Sequence, residues 1–133
     1  MGSWPDPVLA YGYYIGGKQA GWDINVSDED DDYFSLTDIF WFDGDSSDFI
    51  WECEKRLQAA HAHPGVGFIP IGTHDDMRYI LGIQHHPIVD GKLVAPSEVT
   101  VLQWTIDLTV ALMTLDFKPI QKHAEWIHDA CYC

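Results

Sequence analysis

Positive charge is scarce in this chain: seven Lys and Arg stand against 21 Asp and Glu, for a formal net charge of −14. A basic footprint for phosphate backbones or an anionic bilayer is lacking, so direct nucleic-acid and membrane binding are disfavoured and a basic or neutral protein partner is expected. Long apolar runs are missing too. No window holds eighteen uninterrupted apolar residues, and the opening MGSWPDPVLAYGYYIGG shows no basic stretch followed by an apolar one. A soluble, unexported, cytoplasmic protein is expected.

Cysteine is sparse and odd in number, at Cys53, Cys131 and Cys133. A chain of 133 residues does not need disulfide staples, which agrees with a reducing compartment. Catalytic signatures are also absent: there is no G-x-S-x-G, no P-loop and no H-E-x-x-H. A non-enzymatic protein without cofactors is the resulting expectation.

With 47% hydrophobic residues the chain can bury a sizeable core, so one folded domain spanning residues 1–133 is expected. VLAYGYYI, the turn GGKQAG and WDINVS read as a hairpin, with Trp22, Ile24 and Val26 alternating with Asp23, Asn25 and Ser27. DFIWECEKRLQAAHA reads as a one-sided helix whose apolar face is Phe49, Ile50, Cys53, Leu57 and Ala60, with Ser46, Ser47 or Asp48 as its cap. VGFIPIG and MRYILGIQHH form a second hairpin around THDD, and Pro70 places the first of these strands at an edge.

PIVDGKLVAPS reads as a loop. Residues 97–117 alternate apolar and polar like a strand, but their length and the start Pro96-Ser97-Glu98 favour a helix. HAEWIHDACYC reads as a last strand. The sum is an α+β domain, a mainly antiparallel sheet of about five strands with two helices packed on it.

Within this frame the acids are unevenly spread. No basic residue lies between Lys18 and Lys55, while Asp23, Asp28, Glu29, Asp30, Asp31, Asp32, Asp38, Asp43, Asp45, Asp48, Glu52 and Glu54 all fall there. Such a run is commonly a solvated loop. Its confinement to one region, flanked by aromatics, also suits an electrostatically steered binding surface at about residues 27–48. The candidate partner-binding residues are Asp28, Glu29, Asp30, Asp31, Asp32, Asp43, Asp45 and Asp48, with Trp41 as an aromatic anchor.

Metal readings are weaker. Asp28, Asp30 and Asp32 match the first positions of a calcium loop, but Tyr33 stands where the turn needs Gly and Ile39 where a bidentate Glu should close the site. His61-x-His63 and Cys131-x-Cys133 are tight pairs, yet neither is a zinc knuckle, so no metal ligand is assigned. Cys53 lies on an apolar helix face, where an inert thiol is favoured over a nucleophile. Trp22, Trp51, Trp104 and Trp126 are expected in or beside the core.

The segments VLAYGYYIGGKQAGWDI, DGDSSDFIWECEKRL and LDFKPIQKHAEWI resemble small acidic uncharacterised proteins of actinobacteria and their phages. That resemblance covers most of the chain and carries no activity or functional residue with it. It implies a bacterial or phage cytoplasmic protein, and a phage origin would suit an inhibitor or immunity-type protein that covers a basic, nucleic-acid-binding surface of its target. A phage structural or assembly component and a small metal-binding enzyme are the rival readings.

Overall fold

The computed structural model describes residues 6–25, 36, 39, 41–42, 48–62, 65–86 and 88–132. Eleven elements follow in chain order: β1 Asp6–Gly17, β2 Gly21–Trp22, β3 Ile24–Asn25, α1 Phe49–Ala59, β4 Val66–Thr73, β5 Asp76–Gln84, β6 Ile88–Val89, β7 Lys92–Leu93, α2 Glu98–Leu115, β8 Lys118–Pro119 and β9 Glu125–Tyr132. The expected α+β architecture is present, a mainly antiparallel five-stranded sheet ordered β2-β1-β5-β4-β9 with two helices.

The sheet closes on itself through its longest strand. The first half of β1 pairs with β9 and the second half with β5, and Ala10, Tyr11 and Gly12 have a strand on both sides. β4 follows β5 and then meets β9 in a short parallel pairing at Gly72 and Thr73, completing a ring of four strands. Beyond Gly12, where β9 has not yet begun, a side chain continues the ladder. The Tyr14 amide donates to Gln121 Oε1 at 2.9 Å, and Gln121 Nε2 donates to the Gly12 carbonyl at 2.8 Å. These main-chain groups of β1 are therefore satisfied without another strand.

Curling the sheet gives it two buried faces. Inside the ring, Val8, Ala10, Ile71, Ile80 and Cys131 form a small cluster, while Tyr13, Ile15, Phe68, Leu81 and Ile83 face the helices in the larger one. This explains the unbroken burial of Ile80, Leu81, Gly82 and Ile83 on β5, since a strand covered on both sides has no polar face to alternate with. Pro70 sits on β4 where the pairing with β9 covers only Gly72 and Thr73, so its missing N–H falls beside an open stretch of strand edge.

Four local expectations are corrected. The first hairpin returns for only two residues, Gly21 and Trp22, after which Ile24 and Asn25 pair with Pro119 and Lys118 instead. Asn25, placed on a polar face by alternation, is buried because this second pairing turns it inward. Residues 88–93, expected as loop, form a small hairpin whose Asp90 and Gly91 have φ of 53° and 77°, the left-handed pair favoured in two-residue turns. α1 stops at Ala59, earlier than expected, with His61 left-handed and Ala60 exposed.

α2 is helical where period-two alternation argued for a strand. Ser97 is its N-cap, its hydroxyl accepting from the Thr100 amide at 3.2 Å. Replacing Ser97 with Ala is expected to cost about 1 kcal/mol, read as a lower urea midpoint with an unchanged slope, because the first turn loses a side-chain acceptor. At α1 the equivalent position is Asp48, which makes no side-chain cap bond.

Candidate functional site

Within the acid-rich span the described residues are Leu36, Ile39, Trp41, Phe42 and Asp48. Ile39 and Phe42 are buried, Leu36 and Trp41 half-buried, and all four join the main core. Backbone bonds from Ile39 N to Leu36 O and from Phe42 N to Ile39 O, both 3.1 Å, fold this stretch into successive turns. Trp41, expected as an anchor towards a partner, is thus packed with Phe42 against the core of its own chain.

Phe49 is the centre of that anchorage. Trp22 and Phe42 meet its ring edge-on at 4.9 and 5.2 Å, Trp41 stacks on it at 6.3 Å, and Phe117 leans on it at 5.9 Å. Trp41 is fixed further: its indole N–H donates to the Leu115 carbonyl at 2.6 Å and the Arg56 guanidinium lies 5.0 Å above its ring. Arg56 Nε in turn donates to the Thr114 carbonyl at 2.9 Å, which ties α1 to the end of α2.

Of the candidate partner-binding residues, Trp41 and Asp48 are described, and both border Phe49. Trp41 works chiefly as a structural peg, leaving only part of its ring to a partner, whereas Asp48 is exposed at the start of α1. A carboxylate there complements the partial positive charge of a helix N-terminus, and Glu52 follows one turn later. Asp28, Glu29, Asp30, Asp31, Asp32, Asp43 and Asp45 lie outside the described residues, as do Tyr33 and His63.

Lys55 pairs with Glu52 at 3.5 Å on exposed surface and sits 4.0 Å over the Trp51 ring, an arrangement of small energetic weight.

A second surface was not foreseen. Tyr11 on β1, His85 after β5, Trp104 on α2 and Trp126 on β9 form a continuous aromatic cluster with centroid separations of 5.3 to 6.4 Å. Beside it opens an apolar cleft of about 440 Å³, lined by Leu9, His85, Val94, Ala95, Pro96, Val101 and Trp126. His85 Nε2 lies 3.0 Å from the Val94 carbonyl, and the Tyr11 hydroxyl is 3.0 Å from Thr105 Oγ1.

Among the described residues its wall holds one imidazole, that of His85, beside apolar side chains. Trp126 and Trp51 are 43% and 58% exposed, which corrects their expected place in or beside the core. Nothing local marks this cluster, because its members come from three elements and the segment after β5, apart in sequence.

Cys53 is fully buried, and its thiol pKa is pushed far up by burial and then by the carboxylates of Glu54 and Glu52. A thiolate nucleophile is disfavoured there. Cys131 is buried and disulfide-bonded, which corrects the expectation of a chain without disulfides, and its sulfur is not a free metal ligand. Among the described residues no group of three or more His, Cys, Asp or Glu converges on a point that could hold an ion.

No family model, no curated protein and no solved structure matches this chain.

Proposed function

We propose that this chain is a non-enzymatic binding protein that presents its acid-rich segment to a basic surface of a protein partner. The observation that carries the reading is the pegging of that segment to the core at Ile39, Trp41 and Phe42, in a stretch with no basic residue between Lys18 and Lys55. A solubility tail would need no buried pegs. Acid concentrated in one span of the chain gives a field that steers a cationic partner, and it competes with polyanions for the same surface.

The resemblance to actinobacterial and phage proteins turns this reading towards an inhibitor or immunity-type protein acting in the cytoplasm. An assembly component is the second reading, favoured by the exposed apolar side of α2.

The test is affinity capture with the wild-type chain and with the combined variant Asp30→Lys, Asp31→Lys, Asp32→Lys, at low and high salt. A single basic protein retained by the wild type at low salt is expected. Its association with the variant should be slower by about tenfold or more, with a flatter salt dependence and an unchanged unfolding midpoint. Equal binding by both chains would move the interface away from the acidic run.

A further inference from the structure

α2 is apolar on two opposite sides, and only one of them is used by the fold. Leu108, Ala111 and Leu115 are fully buried towards the sheet and α1. On the opposite side Val99, Leu102, Ile106, Val110 and Met113 stand 76%, 63%, 56%, 50% and 75% exposed. Steps of three and four residues keep these five on one stripe along the whole helix.

We propose that this stripe is the interface of a homodimer, in which two copies of α2 pack antiparallel about a twofold axis at Ile106. The spacing is itself symmetric about that residue: Val99 and Met113 lie equally far to either side, and so do Leu102 and Val110. An antiparallel pair therefore sets Ile106 on Ile106, Leu102 on Val110 and Val99 on Met113, apolar against apolar at every level.

The area suffices for a dimer. At these exposures the five side chains offer roughly 600 Å² per protomer, so the contact removes about 1,200 Å² in total, the lower bound of stable specific interfaces.

The flanks favour burial as well. Thr105, Thr109 and Thr114 donate their hydroxyls to the carbonyls of Val101, Thr105 and Val110 at 3.0, 2.8 and 2.9 Å, so their polar atoms are already engaged. Charge selects the direction. The helix carries only Glu98 and Asp107; a parallel pair sets each against its own copy, whereas the antiparallel register sets Glu98 opposite Thr114 and Asp107 opposite Thr105.

A lipid occupant fits less well, although α2 is long and apolar enough to cross a membrane. Spanning would place Asp107 in hydrocarbon and pull Leu108, Ala111 and Leu115 out of the core. Surface binding would find no Lys or Arg on the helix to meet anionic headgroups.

The inference is independent of the acidic run, and Asp30→Lys, Asp31→Lys, Asp32→Lys leaves the dimer intact whatever becomes of partner capture. Sedimentation equilibrium of the full chain over a micromolar concentration range, at physiological salt, is the test. The wild type is expected at twice the chain mass, and Ile106→Lys, which sets two ammonium groups on the axis, should raise the dissociation constant by roughly a hundredfold or more with an unchanged far-UV circular dichroism spectrum.

Direction is read by oxidative cross-linking with the bonded peptides identified by mass spectrometry. Ile106→Cys should link to itself, and Val99→Cys should link to Met113→Cys but not to itself. A wild type that is monomeric at every concentration would overturn the proposal, whether or not it floats with phosphatidylcholine vesicles. Self-linking of Val99→Cys would overturn it as well, by showing a parallel pair.

Discussion

Gly12→Ala is expected to cost at least 4 to 5 kcal/mol, about the whole stability of a marginal domain, and to leave the chain largely unfolded. Gly12 lies opposite Gly82, which lies opposite Gly67, in one row across β1, β5 and β4. A methyl group at Gly12 would overlap the Leu81 carbonyl oxygen and come within 2.5 Å of the Gly82 Cα. Both obstacles are backbone, so no side-chain rotation can relieve them, and the strand that closes the ring would have to move away from β5.

The control comes from the same row. A methyl at Gly67 meets nothing within 4 Å, so Gly67→Ala should lie within about 0.5 kcal/mol of wild type. Urea unfolding followed by far-UV circular dichroism compares the two. A Gly12→Ala chain with the wild-type midpoint would show that β1 does not lie on β5 as described.

Phe49→Ala has the next largest expected effect, a loss of about 3 to 5 kcal/mol. The ring is fully buried among Trp22, Trp41, Phe42 and Phe117, and its removal leaves a cavity walled by rigid aromatics that cannot collapse to fill it. Because Trp41 and Phe42 are two of the pegs of the acidic segment, the variant should also loosen that segment. Near-UV circular dichroism would then fall while far-UV helix content holds at low temperature. Trp51→Ala, two residues along on the exposed side of α1, should cost less than about 1 kcal/mol. Equal losses at positions 49 and 51 would place the core on the wrong face of the helix.

Much of the fold was legible because its signals are local. α1 follows from Phe49, Cys53 and Leu57 recurring on one face, and the β4–β5 hairpin from two apolar runs flanking a polar turn, where the Asp76 amide donates to Thr73 Oγ1 at 3.1 Å. α2 was legible from its cap and length despite its alternation. That alternation misleads for a physical reason: a step of two residues turns a helix by about 200°, so apolar residues at every second position fall alternately on its two opposite sides. The hairpin at residues 88–93 was also within reach, since Asp90-Gly91 is a strong turn pair.

The composition and order of residues determined the acidic balance, the element types and the inert burial of Cys53. Tertiary structure alone decided that β1 joins both β5 and β9, that Tyr11, His85, Trp104 and Trp126 meet, and which side of α2 remains uncovered. Periodicity reports which residues share a face of their own element. Which of two apolar faces finds a partner depends on where distant strands run, and no local pattern carries that information.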